Sequence, residues 1–209
     1  MTNGLPDGLE DCFCGFAHWT VESRDRHRFS EVSFGLDTVP LWVSGDPPDT
    51  RAHVAEFTRQ AVGLGVELVL DLRDHAPGLS EWDHAQFESS NVEYLRLPIE
   101  DASSAFSAAS AEFSSWLERL RSLPTVPMLV HCHMGVNRSA SAAVALLVLR
   151  GFSPAEAATS VLVSRPSAMA IYAPHLLRHL TGPEDAASAD RAIRLLRATD
   201  QRLGRALEF

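Results

Sequence analysis

Val126-Pro127-Met128-Leu129-Val130-His131-Cys132-His133-Met134-Gly135-Val136-Asn137-Arg138-Ser139 reads, left to right, as a core strand, a tight loop and the opening of a helix. The apolar run Val126 to Val130 supplies the strand, and the helix-prone run from Ser139 to Arg150 continues beyond the loop. One cysteine stands where the strand ends. A loop of this kind turns successive backbone N–H groups inward at a helix N-terminus, and both features favour a bound dianion. Arg138 adds a planar fork able to grip two phosphate oxygens at once. The same donors, dipole and guanidinium favour the thiolate form of Cys132. His133, Met134, Gly135, Val136, Asn137 and Arg138 are therefore the candidate phosphate-binding loop, and Cys132 is the candidate nucleophile for attack on phosphorus.

The neighbouring residues admit two readings each. The Ser139 hydroxyl can bond the cysteine sulfur and make it a better leaving group, or cap the helix that follows. His131 either orients the loop through a ring N–H or is simply satisfied by a backbone carbonyl. Gly135 supplies a backbone angle closed to side chains and lets the loop approach the phosphate closely. Asn137 either braces the loop or faces solvent.

Outward from this centre, strands alternate with helices. Short strands are expected around Phe29 to Leu36, Leu41 to Val43, Val66 to Leu72 and Val92 to Leu97. A helical stripe runs through Val54, Phe57, Ala61 and Val62 and ends at Gly63 and Gly65. Further helices are expected over Ser80 to Glu88 and around Phe113, Trp116, Leu117 and Leu120. Ser153-Pro154-Ala155-Glu156 is a capping box with proline at the first helical position, opening a helix that ends near Arg165-Pro166. A last amphipathic helix spans Glu184 to Leu207. The fold class is α/β, a central and largely parallel sheet flanked by helices, with ligands gathering at the strands' carboxyl ends. One domain is expected over residues 38–180. Residues 1–37 form an N-terminal extension open to joining the sheet, and 181–209 a C-terminal helix packed on or extending the domain.

Composition fits a cytoplasmic enzyme. The chain has 209 residues, 45% of them hydrophobic, enough for one substantial core. Its 27 acidic against 18 basic residues leave a net charge of −9, which opposes attachment to nucleic acid or anionic membrane. No apolar run reaches spanning length, and the N-terminus carries no signal-peptide pattern. Three cysteines, one of them needed as a thiolate, suit a reducing compartment. Cys12 and Cys14 lack a second ligand pair, so no metal is expected. They stand as structural thiols, or as partners for Cys132 under oxidation.

His-Cys, five residues, then Arg-Ser resembles the signature of the cysteine-dependent protein tyrosine phosphatases, and the glycine three residues after the cysteine is most similar to the dual-specificity branch. The resemblance covers residues 38 to 180. It implies a phosphatase-like fold, no cofactor and a two-step reaction through a phosphocysteine on Cys132. It also implies a general acid about thirty residues upstream, after a Pro-hydrophobic-x-Asp pattern. Leu97-Pro98-Ile99-Glu100-Asp101 matches, which makes Asp101, 31 residues before Cys132, the expected acid, with Glu100 as the neighbouring alternative and a helix-capping carboxylate as the plain reading of Asp101. Asp71-Leu72-Arg73 resembles a bacterial subgroup, where Arg73 either helps bind substrate or joins a surface ion network with Asp71 and Asp74. Trp42 and Trp82 either line a phosphotyrosine pocket or pack in the core.

The departures from the family bear on substrate. After Arg165-Pro166 the branch's Pro-Asn pair and glutamine are replaced by Ala168-Met169-Ala170-Ile171-Tyr172. The tyrosine-bearing recognition loop is absent, which implies a shallow pocket open to phosphoserine and phosphothreonine as well as phosphotyrosine. The loop also lacks the lysines of phosphoinositide-directed relatives. The expected partner is a phosphorylated protein or peptide. The alternatives are RNA 5′-triphosphate ends, small phosphorylated metabolites, or a non-enzymatic phosphoresidue reader.

Overall fold

The structure, a computed structural model, describes residues 28–33, 38–46, 51–74, 79–99 and 111–207. The first half of the chain runs β1 (Ser30–Glu31), β2 (Leu41–Ser44), α1 (Arg51–Gly63), β3 (Leu68–Asp71), α2 (Leu79–Glu88) and β4 (Glu93–Arg96). The second half runs α3 (Ala111–Arg121), β5 (Met128–His131), α4 (Arg138–Leu149), α5 (Pro154–Ser164), α6 (Ala173–Leu180) and α7 (Ala186–Leu207), the last preceded by a single 3₁₀ turn at Pro183–Asp185. The sheet order is β1-β2-β5-β3-β4. Only the β1–β2 pair is antiparallel; β2, β5, β3 and β4 run parallel. The expected α/β architecture is the one observed.

The three inner strands, β2, β5 and β3, are buried on both faces, as crossover helices require, and their side chains divide with the period of two. Leu41, Val43, Leu68, Leu70, Met128, Val130 and Cys132 enter one core, covered by α3, α4, α5, α6 and α7. Trp42, Val69, Tyr94 and Leu129 enter the other, beneath Phe57 and Ala61 of α1 and Phe87 of α2. Cys132 and His131 therefore leave β5 on opposite sides of the sheet. Trp42, 4% exposed, is a core residue. The side chain of Trp82 lies outside the described residues.

The helix after the loop, α4, is buried at every position from Arg138 to Leu147. Its sequence explains that placement: it is alanine-rich, strong in helix propensity and apolar on all sides. The capping box at Ser153 forms as the sequence predicts, with Glu156 N–H on the serine hydroxyl and the glutamate reaching back. Helix α6 received no element from the sequence. Pro174 sits in its first turn, where proline is tolerated, and Ala173, Leu176 and Leu177 bury one face. The strand expected over 29–36 is shorter, two residues long, and residues 34–37 lie outside the described set. Ala192, Ile193 and Leu196 of α7 join the same core as Cys132 and the strand residues on its side of the sheet.

Candidate active site

Strand β5 delivers Cys132 to the carboxyl edge of the sheet between two neighbours, with Ser44 and Asp71 in register with His131. The thiol is 2% exposed. Its Sγ accepts the Gly135 N–H at 3.3 Å and lies 3.2 Å from the Ser139 hydroxyl. These contacts curl residues 132–138 around the sulfur at the start of α4. The Ser139 hydroxyl also lies 3.4 Å from the Ser44 carbonyl. The helix-cap position belongs to Asn137, not Ser139, so the capping alternative for Ser139 is corrected. Asn137 braces the loop: its Oδ1 accepts the Ile171 N–H at 3.3 Å.

Gly135 shows why no other residue fits. Its φ is +69°, and a Cβ there would lie 2.5 Å from Gly45 N and 2.6 Å from Ser44 C. The close approach that the glycine permits is to the end of β2, and to the Arg165 guanidinium, which sits at the same point. Arg165 is 3% exposed. It donates from Nε to the Gly135 carbonyl, from Nη2 to the Met134 carbonyl at 3.4 Å, and from Nη1 to the Arg28 carbonyl at 3.1 Å. By binding the carbonyls on the outside of the loop, it favours peptide orientations that point N–H groups inward. The segment that departs from the family pattern completes the brace. Met169 N–H donates to the Val136 carbonyl at 3.1 Å, and Ala170 holds a φ of +49° beside it.

Arg138 is 5% exposed. Its Nη1 donates to Asp74 Oδ1 at 2.8 Å and to the Ile99 carbonyl at 3.2 Å. One guanidinium nitrogen thus ties the loop both to the end of β3 and to the segment leading toward residues 100 and 101. On the other flank, His133 Nδ1 meets Asp46 Oδ2 at 2.7 Å, and Asp46 N–H returns to the His133 carbonyl at 3.2 Å. Asp101, its alternative Glu100, and Cys12 and Cys14 lie outside the described residues. Among the described residues no three His, Cys, Asp or Glu side chains group to hold a metal ion.

The surface ion network expected for Asp71, Arg73 and Asp74 is corrected on both counts. It is buried, with Asp71 fully and Arg73 almost fully inside, and Asp74 belongs to Arg138 instead. Arg73 donates from Nε and Nη2 to the two Asp71 oxygens, both at 2.9 Å, and from Nη2 to Asp83 at 2.6 Å. The Tyr94 hydroxyl donates to Asp71 at 2.8 Å and lies 3.5 Å from His131 Nε2. Burial opposes the charge on Asp71, but His131 and the bidentate Arg73 outweigh it and hold the carboxyl well below its usual range. For Asp83, burial outweighs Arg73 and pushes the carboxyl up to about 6. Burial likewise holds the His131 imidazole down to about 4, against the pull of Asp71.

These shifts give a pH signature. Between pH 6.5 and 4 the unfolded chain protonates His131 and the folded chain does not, so this group's stability is present above pH 6.5 and is lost as pH falls toward 4. Asp83 runs in the opposite sense: its folded form binds the proton first, so it loses stability as pH rises through about 6. Urea melts at pH 7 and pH 5 should therefore separate parent from His131→Asn, with the variant losing less on acidification by about 2 kcal/mol. Equal changes in the two proteins would show that His131 is not buried neutral.

Residues 43–202 match the profile of a family described as the DSP-PTPase phosphatase domain of Swiss Army Knife proteins, PTP-SAK. No curated protein matches the chain in sequence. Among solved structures, the PTP-2 phosphatase of Cydia pomonella is 19% identical, with a TM-score of 0.53, covering 73% of this chain and 89% of that one. Tk-PTP in its active form is 24% identical, with a TM-score of 0.46, over 73% of this chain and 95% of the other. Human DUSP28 is 22% identical, with a TM-score of 0.41, over 75% and 90%. The likeness to the Cydia pomonella protein is one of fold, while the profile match spans more than half the chain. The chain belongs to the PTP-SAK family of DSP-PTPase phosphatase domains.

Proposed function

We propose that this chain hydrolyses phosphomonoesters of proteins, phosphotyrosine together with phosphoserine and phosphothreonine, through a phosphocysteine intermediate. The observation that carries the reading is the environment of Cys132: a sulfur held by the Gly135 N–H and the Ser139 hydroxyl at the head of α4, seven residues wide from nucleophile to hydroxyl, with Arg138 between them.

In the first step the Cys132 thiolate forms an S–P bond as the P–O bond to the leaving group breaks. Asp101 gives its proton to the departing oxygen, so that a phenoxide or alkoxide need not leave as an anion. Loop N–H groups and the Arg138 fork stabilise the charge spread over the three equatorial oxygens. In the second step Asp101, now ionised, takes a proton from water as the water oxygen attacks phosphorus and the S–P bond breaks. The Ser139 hydroxyl donates to the returning thiolate and lowers the cost of its departure. Inorganic phosphate is released and the enzyme is restored. No metal takes part, so turnover in EDTA is part of the reading.

A substrate panel tests it: phosphotyrosyl and phosphothreonyl peptides, an inositol phosphate, RNA 5′-triphosphate and an activated aryl phosphate, each assayed with the parent and with Asp101→Asn. Peptide turnover is expected to exceed that of the inositol phosphate and the RNA end. Asp101→Asn should lower peptide rates by about two to four orders of magnitude and the activated aryl phosphate less. Equal losses on all substrates would remove Asp101 as the acid. Faster turnover of RNA 5′-triphosphate than of either peptide would replace the protein substrate.

A further inference from the structure

The two strands that flank β5 each end in a carboxylate that grips one end of the 132–138 loop. Asp46 follows β2 and Asp74 follows β3. Asp46 is 3% exposed and holds residue 133 twice, by its N–H on the His133 carbonyl and by its carboxylate on Nδ1. A carboxylate only accepts, so His133 is the donor in the second contact. Asp74 takes the Arg138 Nη1 at 2.8 Å. We propose that Asp46 and Asp74 are a pair of positioning residues that fix the His133 and Arg138 side chains for the chemical step. The proposal rests on the phosphatase reading of Cys132.

Placing negative charge beside a site for a dianion needs a reason. Each carboxylate opposes an incoming phosphate through space, and neither contact resembles a binding contact for substrate. What they supply is orientation. A guanidinium on a four-bond stem samples many rotamers, and fixing it in one before substrate arrives moves that entropic cost out of the reaction. The gain is largest in the transition state, where a displacement of about 1 Å can cost roughly a hundredfold in rate. The carboxylates' charge, by contrast, weakens ground-state binding of phosphate. Orientation and affinity therefore respond in opposite directions when either carboxylate is neutralised.

The framework behind Asp74 supports such a role. The preceding residue, Arg73, is locked by its own backbone N–H on Asp71 Oδ1 at 2.9 Å and by its side chain on Asp71 and Asp83. Arg96 Nη2 holds the Arg73 carbonyl at 3.0 Å. Asp74 thus projects from a turn whose both peptide groups are tied down, and a rigid support is what a positioning group needs. On the other side, the Asp46 backbone is tied to the loop itself through the His133 carbonyl.

The test uses the full chain with Asp74→Asn, Asp46→Asn and a Cys132→Ser blank. Three quantities are read: kcat on a phosphotyrosyl peptide, the Kd of inorganic phosphate by calorimetry, and the melting temperature. The expected result for each Asp→Asn variant is a kcat lower by about tenfold or more, with phosphate Kd unchanged or tighter. A kcat within twofold of the parent overturns the proposal. So does a parallel loss of kcat, phosphate affinity and melting temperature, which marks a merely structural role. Should one variant fail to fold, the other carries the same test. A parent with no turnover above the Cys132→Ser blank sinks the phosphatase reading and this proposal together, an outcome distinct from a working parent with indifferent variants.

Discussion

Cys132→Ser is expected to lower turnover of an aryl phosphate by about four orders of magnitude or more, leaving the fold and the phosphate site in place. The change removes one kind of chemistry and little else. The side chain is buried, and the Gly135 N–H that faces it can donate to an oxygen as well as to a sulfur, with the Ser139 hydroxyl beside it. A buried serine hydroxyl is therefore satisfied, and stability should change little. The hydroxyl is nevertheless a far poorer nucleophile toward phosphorus than the sulfur it replaces. Steady-state rates, phosphate affinity and capture of the phosphoenzyme by mass spectrometry check the claim together. Activity within tenfold of the parent would mean that another group attacks phosphorus.

The second large effect is on stability. Arg73→Leu should destabilise the protein by about 3–5 kcal/mol, because it leaves Asp83 inside without its cation and Asp71 with only the longer contact to Arg96 at 3.6 Å. Asp71 is fully buried and Asp83 is 2% exposed, so neither can turn to water without disrupting the sheet edge or α2. The paired state suits Asp71 well: two guanidinium contacts and the Tyr94 hydroxyl satisfy its oxygens. Removing the partner exposes the whole desolvation penalty, whereas the net worth of the intact pair is far smaller. In a domain of this size the melting temperature should fall by about 6–20 °C. Arg73→Lys should recover only part of this, since an ammonium cannot reproduce the bidentate fork. A melting temperature within about 2 °C of the parent would show that the network is not an essential part of the fold.

Much of this architecture is legible in the chain. The strand–loop–helix at 126–150 and the capping box at Ser153 announce themselves through local periodicity and cap chemistry, which depend on residues a few positions apart. The altered segment 168–172 was legible as a departure, but its role was not. Its backbone N–H groups satisfy Val136 and Asn137, and backbone bonds leave no mark on side-chain identity. Helix α6 was hidden by Pro174, which reads as punctuation unless the first turn is already known. From the sequence Arg165 reads as a helix end and Asp74 as a member of an ion network, while Asp46 carries no signal of its own. Their contacts span 30 to 87 residues of sequence, and only the parallel order β2-β5-β3 brings them together. The available signal was positional: Asp46 and Asp74 both follow strands at the edge where α/β ligands gather.

Strand β5 is flanked by a parallel partner on each side and covered by helices on both faces, and this sets how firmly the loop at Cys132 is anchored. Most binding loops open through local fluctuations far less costly than global unfolding. Here the loop's first residue continues a strand whose amides are protected by the whole sheet, and its last opens a helix buried through ten residues. Both ends of the loop are therefore anchored in the core of the domain.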